Sequence, residues 1–354
     1  MSTTPDIRAR FAALRAEGKR HKDAAEAMGL SEGEAIAAHA GVARESDARV
    51  LHATPLRGPW LDLLQALELC GPVLALTRNR STVHEKTGVY WKLSGSGHVS
   101  LALGEDIDLR LFFGRWHAGF AVAEGTSSSL QFFDAHGVAV HKVFAREATD
   151  RDAFQSVIDA HADPALAPVF TPAEPKSPPK ADSAIDAVAL ASAWGAMQDT
   201  HEFFGLLNTF EVERQQSFRL TEGEFTRRAA KSAVRDLLNE AAFDGTPIMV
   251  FVGSPGCIQI HTGPVVRVEP MEMRGMQWLN VLDPGFNLHL REDLIDAVWI
   301  VEKPTSDGVV TSVEAFDEQG GLMAMFFGAR KPGAPEREAW RVIVRKLPVV
   351  GVEA

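Results

Sequence analysis

The sequence predicts an α+β fold repeated in tandem, each half a large antiparallel β-sheet flanked by helices. Three observations carry this reading. A Pro-rich stretch divides the 354-residue chain near its middle. Sequence blocks recur across that division in the same order. Strand-like runs are joined by turns too short for parallel crossovers, which favours antiparallel meanders.

The division comes first. Pro164, Pro168, Pro172, Pro175, Pro178 and Pro179 fall within residues 162–186. Such a segment neither continues a helix nor pairs inside a sheet, so it reads as an extended linker. The expected organisation is an N-terminal repeat over 1–161, a linker over 162–186 and a C-terminal repeat over 187–354. The recurring blocks support it. Asp62-Leu63-Leu64 recurs as Asp236-Leu237-Leu238, and Thr87-Gly88 as Thr262-Gly263. Leu109-Arg110-Leu111 recurs as Leu288-His289-Leu290. Phe133-Asp134-x-x-Gly137 recurs as Phe316-Asp317-x-x-Gly320. The offset drifts slowly, as a tandem duplication would leave it, and two long copies make a duplicated domain rather than a solenoid.

The elements follow in order. The N-terminal fifty residues read as helical. Lys22–Ser31 resembles the first half of a helix-turn-helix, with Gly29 suited to the turn and Ser31 to the next N-cap. A pair of packed helices is the preferred reading of it. Strands are expected over Val73–Leu76, Val99–Leu103, Leu109–Phe113, Gly119–Val122 and Leu130–Phe133. In the second half they are expected over Met249–Val252, Ile258–His261, Val265–Val268, Trp278–Leu282, Ala297–Glu302, Val309–Phe316 and Leu322–Phe327. Helical spacing runs through Ala187–Leu207.

Composition excludes several classes. The net charge of -11 leaves no surplus of Lys and Arg to grip nucleic acid or an anionic membrane. The two cysteines, Cys70 and Cys257, form neither a disulfide scaffold nor a Cys-rich metal site. With no apolar leader and no run long enough to span a bilayer, a cytoplasmic protein without membrane insertion is expected. Several motifs fail. His201-Glu202-Phe203-Phe204-Gly205 has Gly where a zincin needs its second His, and Ser94–Gly97 lacks the GK[ST] and helix of a phosphate loop. No GxSxG elbow occurs.

What remains is a histidine on a helical period. Ala187, Leu190, Trp194, Met197, His201 and Phe204 share one seam. His201 is therefore either a core histidine held by a hydrogen bond or an axial imidazole facing an apolar slot lined by Trp194, Met197 and Phe204. The latter is what haem iron requires. In Ile107–Phe113 the alternation sets Asp108, Arg110 and Phe112 opposite Leu109, Leu111 and Phe113. Arg110 is then either paired with Asp108 or aimed at a ligand. Lys303 at the lip of a turn, Arg214 after the His201 helix and Arg330 after a strand are cations suited to the rim of a slot for a flat apolar dicarboxylate.

With these residues in view, the chain resembles the cytoplasmic hemin-degrading factors, also described as HemS/HmuS-type haemin transport proteins. The resemblance covers nearly the whole chain. It is strongest in Val83-His84-Glu85-Lys86-Thr87-Gly88, Asp108-Leu109-Arg110-Leu111-Phe112, Gln131-Phe132-Phe133-Asp134, His201-Glu202-Phe203-Phe204, Arg214-Gln215-Gln216, Ile248–Gly253, Gly256–Ile260 and Lys303–Gly308. It implies two similar α+β repeats, with haem held between the sheet and helices of the C-terminal one. It implies His201 as the axial ligand of the haem iron. Arg110 would be the distal, catalytic residue, with Phe112 beside it. Arg214, Lys303 and Arg330 would bind the propionates, and Phe251 would form an apolar wall. Phe204 and Phe327 count as further haem contacts. A second haem contact in the first repeat would fall on His84, which aligns with Gln259 and so is not a duplicated ligand.

One strand departs from the family pattern. Where the family reads Gln-Leu-Tyr-Gly-Gln-Arg, this chain has Met325-Phe326-Phe327-Gly328-Ala329-Arg330, leaving Tyr90 as the single tyrosine. A more apolar pocket is expected. The resemblance implies a haem oxygenase-like monooxygenase that degrades haem b oxidatively and releases iron after haem uptake. It would need an external reductant, because the chain carries no flavin or nicotinamide motif. The alternative is a haem carrier that delivers to a separate haem oxygenase. A third reading, a DNA-binding regulator using residues 20–45, is set against by the acidic charge. Expected partners are haem, a haem uptake transporter or a haem oxygenase, with no nucleic acid, and the protein is expected to be a monomer or dimer.

Overall fold

The computed structural model describes residues 4–41, 51–96, 99–175, 177–331 and 333–350. The strands form two large antiparallel sheets flanked by helices, as the α+β reading expects. The chain divides into two compact units. The first takes in the chain up to Arg78, His84–Glu174 and Gly253–Gln259. The second takes in Asn79–Val83, Pro175–Val252 and the chain from Ile260 onward. Nothing in the sequence reading anticipated the two short exchanged segments.

The first unit runs α1 (Thr4–Ala16), α2 (His21–Ala27), α3 (Glu32–Ala37), β1 (His52–Leu56), α4 (Trp60–Ala66), β2 (Val73–Arg78), β3 (Thr82–Gly88), β4 (Leu93–Ser96), β5 (Val99–Leu103), β6 (Asp108–Leu111), β7 (Ala118–Glu124), β8 (Ser127–Phe133), β9 (Ala139–Ala145) and α5 (Arg151–His161). Strands β1, β7, β8, β9 and β2 pair in that order, all antiparallel, and β4–β5–β6 form a meander. One face packs Leu130, Phe132 and Val143 with Leu63, Leu64 and Phe154 of α4 and α5. The opposite face packs Phe120, Val122 and Phe133 with Phe11, Ala24, Ala25 and Ile36 of α1 to α3. The alternation of β8, one side to each core, follows from the twofold period of a strand.

The helix pair α2–α3 turns at Gly29, whose φ of 73° is left-handed. Ser31 caps α3 with a reciprocal bond to Glu34, a capping box. Glu32, Gly33, Ala35 and Ile36 of α3 are buried against the sheet, so this is a packed pair. Residues 42–45 of the helix-turn-helix reading, the rest of the N-terminal fifty and Gly97 lie outside the described residues.

The second unit runs α6 (Ala187–Gly195), α7 (Glu202–Phe210), α8 (Arg214–Leu220), β10 (Thr226–Ala229), α9 (Ala233–Asp244), β11 (Ile248–Gly253), β12 (Cys257–Gly263), β13 (Val268–Met273), β14 (Met276–Asp283), β15 (Phe286–Arg291), β16 (Ile295–Thr305), β17 (Gly308–Asp317), β18 (Leu322–Gly328) and α10 (Glu338–Lys346). This order of helices and strands is that of the first unit, element for element. The pairing repeats too: β10–β16–β17–β18–β11, all antiparallel, with β13–β14–β15 as the meander. One face packs Ile300, Val313, Phe326 and Val250 under α9 and α10. Gly328 permits α10 to close, because a Cβ there would come within 2.6 Å of Trp340. The opposite face packs Trp299, Val301 and Phe316 under α6 to α8. The expected strand Val265–Val268 is corrected: β13 starts only at Val268, and Val265 is a buried residue of the connecting stretch.

Candidate functional site

The helical period over Ala187–Leu207 does not form one helix. Helix α6 ends at Gly195, and a turn over 196–201 precedes α7. Within the turn, Asp199 Oδ1 accepts from the His201 backbone N–H at 2.8 Å, and Gln198 N donates to Glu202 Oε2 at 3.1 Å. The interruption shifts the phase of the period. Leu190, Trp194 and Met197 are buried as expected, but after the turn the inward residues are Phe203 and Leu206. The seam reading of His201 is therefore corrected: its side chain is 92% exposed at the start of α7, and Phe204, one turn on, is 72% exposed.

That exposure leaves the imidazole well arranged as a ligand. His201 Nδ1 lies 2.6 Å from Asp199 Oδ1. A proton on Nδ1 shared with a carboxylate fixes the tautomer and the ring plane and leaves the Nε2 lone pair pointing outward. The Asp199 carboxyl is held below its ordinary range, first by the backbone hydrogen bond from His201 and then by the imidazole itself, with a smaller contribution from Arg330. Arg330 donates through Nη1 to Ala334 O at 3.2 Å and, more weakly, to Asp307 Oδ2 at 3.5 Å.

The sheet of the same unit supplies an apolar floor. In the β11–β18 pairing Met249 faces Phe327 and Phe251 faces Met325. These four side chains share the α6–α8 side of the sheet and are only half-buried. The Phe251 and Phe327 rings meet edge-on with centroids 5.0 Å apart. Met325 and Phe327 thus extend the apolar surface.

Beside this floor lies an ion cluster. Glu314 of β17 is fully buried. Its carboxylate accepts from Arg214 Nε at 2.7 Å, Arg214 Nη2 at 2.8 Å, Ser312 Oγ at 2.9 Å and Lys303 Nζ at 3.3 Å. Arg214 Nη2 also reaches Met325 Sδ at 3.3 Å, and both cations lie over the Phe203 ring, Arg214 at 5.1 Å and Lys303 at 4.7 Å. The placement of Lys303 at a lip is corrected: it is 3% exposed, because alternation along β16 sets it on the face of Trp299 and Val301, under the helices and against the Phe203 ring. Burial pushes its ammonium down to about 8, against the pull of Glu314. Burial alone would raise the Glu314 carboxyl, but Arg214 and Lys303 outweigh it and hold the group at about 2.

The sequence reading missed Glu314. The signal was there: alternation in Val310–Phe316 puts Glu314 and Ser312 on one face with Phe316, an acid among inward positions that requires a partner. A testable consequence follows from its depressed pKa. The stabilisation from this pairing is complete above the ordinary carboxyl value of 4.5 and is lost as pH falls through about 2. Melting temperatures of wild type and Glu314→Gln between pH 6 and 2.5 should converge on acidification. A gap independent of pH would contradict the pairing.

In the first unit, Arg110 lies on β6 with the alternation expected: Leu109 and Leu111 are buried, while Asp108, Arg110 and Phe112 are half-buried on the other side. Its guanidinium is ion-paired with Asp108. Burial raises the Asp108 carboxyl despite that partner. The Phe112 backbone N–H donates to Gly256 O at 3.0 Å, and Trp116 Nε1 donates to the same oxygen at 2.9 Å, so the segment Gly253–Gln259 anchors the end of β6. His84 on β3 is completely buried. Tyr90 is buried too, its hydroxyl 2.6 Å from His141 Nε2. Cys257 Sγ lies 3.8 Å from His141 Nδ1, a neighbour no sequence spacing would reveal. Burial drives the thiol to about 12 and the imidazole to about 3, so the pair stays neutral and is no nucleophile-base couple.

The repeat explains why the two units differ. Arg214 follows the N-cap of α8, and its counterpart after the N-cap of α3 is Glu32. The registers Glu314↔Met325 and Gln131↔Lys142 are likewise equivalent, as are Lys303↔Val310 and Glu124↔Ser127. Acids thus replace both cations in the first unit. Glu32 is paired with Arg78 and with Lys142 at 2.6 Å, and Glu124 with Arg15 at 2.6 Å and His21 at 3.1 Å. An exposed imidazole, an open apolar floor and a cation cluster come together only in the second unit among the described residues. They fit a flat apolar molecule that carries carboxylates and a metal in need of a nitrogen donor.

Comparison with known proteins shows the family of the chain. A family model described as the haemin-degrading HemS.ChuX domain matches twice, at residues 29–161 and 211–347. The hemin transport protein HemS of Yersinia enterocolitica is 38% identical over 345 residues, covering 93% of each chain. The crystal structure of holo-PhuS, a heme-binding protein from Pseudomonas aeruginosa, matches with a TM-score of 0.91 at 43% identity over 99% of this chain and 100% of that one. The heme degrading enzyme ChuS of Escherichia coli O157:H7 matches with a TM-score of 0.86 at 35% identity over 98% of this chain and 100% of that one. Among the described residues, no helix is long and apolar enough to cross a membrane.

Proposed function

Because the chain belongs to the haemin-degrading HemS/ChuX family, we propose that it binds haem on the second unit and hands it on, as a carrier acting in the cytoplasm after haem uptake. The observation that carries this reading is His201, exposed and steered by Asp199, beside an open apolar floor and a buried cation cluster. His201 Nε2 offers its lone pair to the iron. Phe251, Phe327 and Met325 cover the macrocycle and exclude water. Arg214 and Arg330 take the carboxylates. HemS is described as a hemin transport protein and PhuS as a heme-binding protein, which supports binding and transfer. The test is to mix the haemin complex with apomyoglobin or a haem oxygenase. Complete transfer within minutes is expected, and retention of haemin over hours rejects the carrier reading.

A second reading, oxidative degradation, is favoured by the likeness to ChuS, described as a heme degrading enzyme. Bound haem would supply both the oxygen-activating iron and the ring that is oxidised. By the resemblance, Arg110 would stabilise charge that develops in the reaction, with Asp108 fixing its guanidinium. Electrons would come from an external reductant. With ascorbate, oxygen and catalase present, Arg110→Ala should slow loss of the Soret band by about a hundredfold while leaving haemin affinity unchanged. Equal rates in both proteins would remove Arg110 from catalysis, and no loss in either would remove the activity.

A further inference from the structure

The cations beside the apolar floor are all paired internally. Glu314 holds Arg214 through two hydrogen bonds and Lys303 through one. Asp307 faces Arg330, and Asp199 faces His201. The positive charges of Arg214, Lys303 and Arg330 are thus opposed by the carboxylates of Glu314, Asp307 and Asp199. A ligand bearing two carboxylates meets no net positive charge until one of these pairs is shared or opened. The Glu314 pairing is the decisive one, because that carboxylate is fully buried and cannot turn to water when a competitor arrives. Arg214, whose side chain is 28% exposed, is the cation that reaches both Glu314 and the floor. Its Nη1 has no hydrogen-bond partner among the described residues. Lys303, buried beneath Phe203, acts through Glu314.

Resting on the haem-binding reading above, we propose that Glu314 is a positioning residue that competes with the ligand's carboxylates for Arg214 and Lys303, so that haem is held less tightly than those cations would allow and is released readily. The carboxylates of the ligand, rather than its ring, are what Glu314 regulates.

The full-length protein tests this with two probes, haemin and haemin dimethyl ester, which has the same ring without the carboxylates. Affinity and the rate of release to apomyoglobin are measured at pH 6.5 for wild type and Glu314→Gln, which keeps one acceptor oxygen for Arg214. The variant should release haemin about tenfold more slowly, with the ester changed by less than about twofold. A folded variant that releases haemin as fast as wild type or faster, or that changes haemin and ester alike, overturns the proposal. If Glu314→Gln does not fold, Glu314→Asp serves, since it keeps the charge but withdraws it from both cations. It should slow haemin release about threefold and spare the ester, and unchanged or faster release overturns the proposal. Failure of wild type to bind either probe with a sharp Soret band is the separate signature that the haem reading itself is wrong, and the proposal falls with it.

Discussion

His201→Ala should abolish the sharp Soret band of the haemin complex and weaken binding by about a hundredfold, or about 2.7 kcal/mol. The apolar floor of Met249, Phe251, Met325 and Phe327 would still take up the ring, but without a nitrogen donor the spectrum should broaden toward that of loosely held haemin. Millimolar imidazole should restore the band by filling the space left by the side chain. Asp199→Ala should give a smaller loss of about tenfold, because its carboxylate only orients the ring through a 2.6 Å contact with Nδ1. Phe204, exposed one turn along α7, bears no charge or donor, so Phe204→Ala should change affinity through lost contact area alone. An unchanged spectrum in His201→Ala would sink the ligand assignment.

Glu32→Ala should destabilise the protein by about 3–5 kcal/mol. Glu32 lies at the start of α3, with a side chain only 4% exposed. It is the shared partner of Lys142, 7% exposed, and of Arg78. Burial would raise its carboxyl, but Arg78 and Lys142 outweigh that and hold it far below the ordinary range. Removing it strands two cations, one of them almost completely enclosed. The double variant Glu32→Ala with Lys142→Met should recover much of the loss, because it removes a charge that no longer has a partner. Urea unfolding of the three proteins checks this. A loss below about 1 kcal/mol in the single variant would mean that the cluster is solvated in solution. Haemin affinity of the folded fraction should not change, since none of these residues is among the proposed haem contacts.

Much of the fold was legible because it depends on local signals. The Phe-Asp-x-x-Gly turns after β8 and β17, the capping residues and the alternating strands are read from short windows, and their recurrence disclosed the repeat. The repeat in turn makes the second unit's order of elements the same as the first's. The site was legible only in part. His201, Arg214 and Arg330 were picked out, and the structure gathers them in one unit around α7, α8 and β18. The helical period could not reveal the turn at residues 196–201, because Asp199 and Glu202 close it through side-chain bonds to backbone N–H groups. That turn is what exposes His201. Lys303 was misplaced and Glu314 overlooked for a common reason: residues 303 and 314 meet across a hairpin and residue 214 comes from a distant helix, so their mutual pairing has no local sequence signature. The same holds for Cys257, carried into the first unit on an exchanged segment.

The difference between the units bears on stoichiometry. Glu32 and Glu124 occupy the positions of Arg214 and Lys303, so the first unit has acids where a dicarboxylate would need cations. Titration of the full-length protein with haemin, followed in the Soret region, tests the account most directly. Saturation at one equivalent with a single sharp band is expected, with the same endpoint when His84 is replaced. A broad band without an endpoint, or two equivalents of equal affinity, would contradict a single site built around His201.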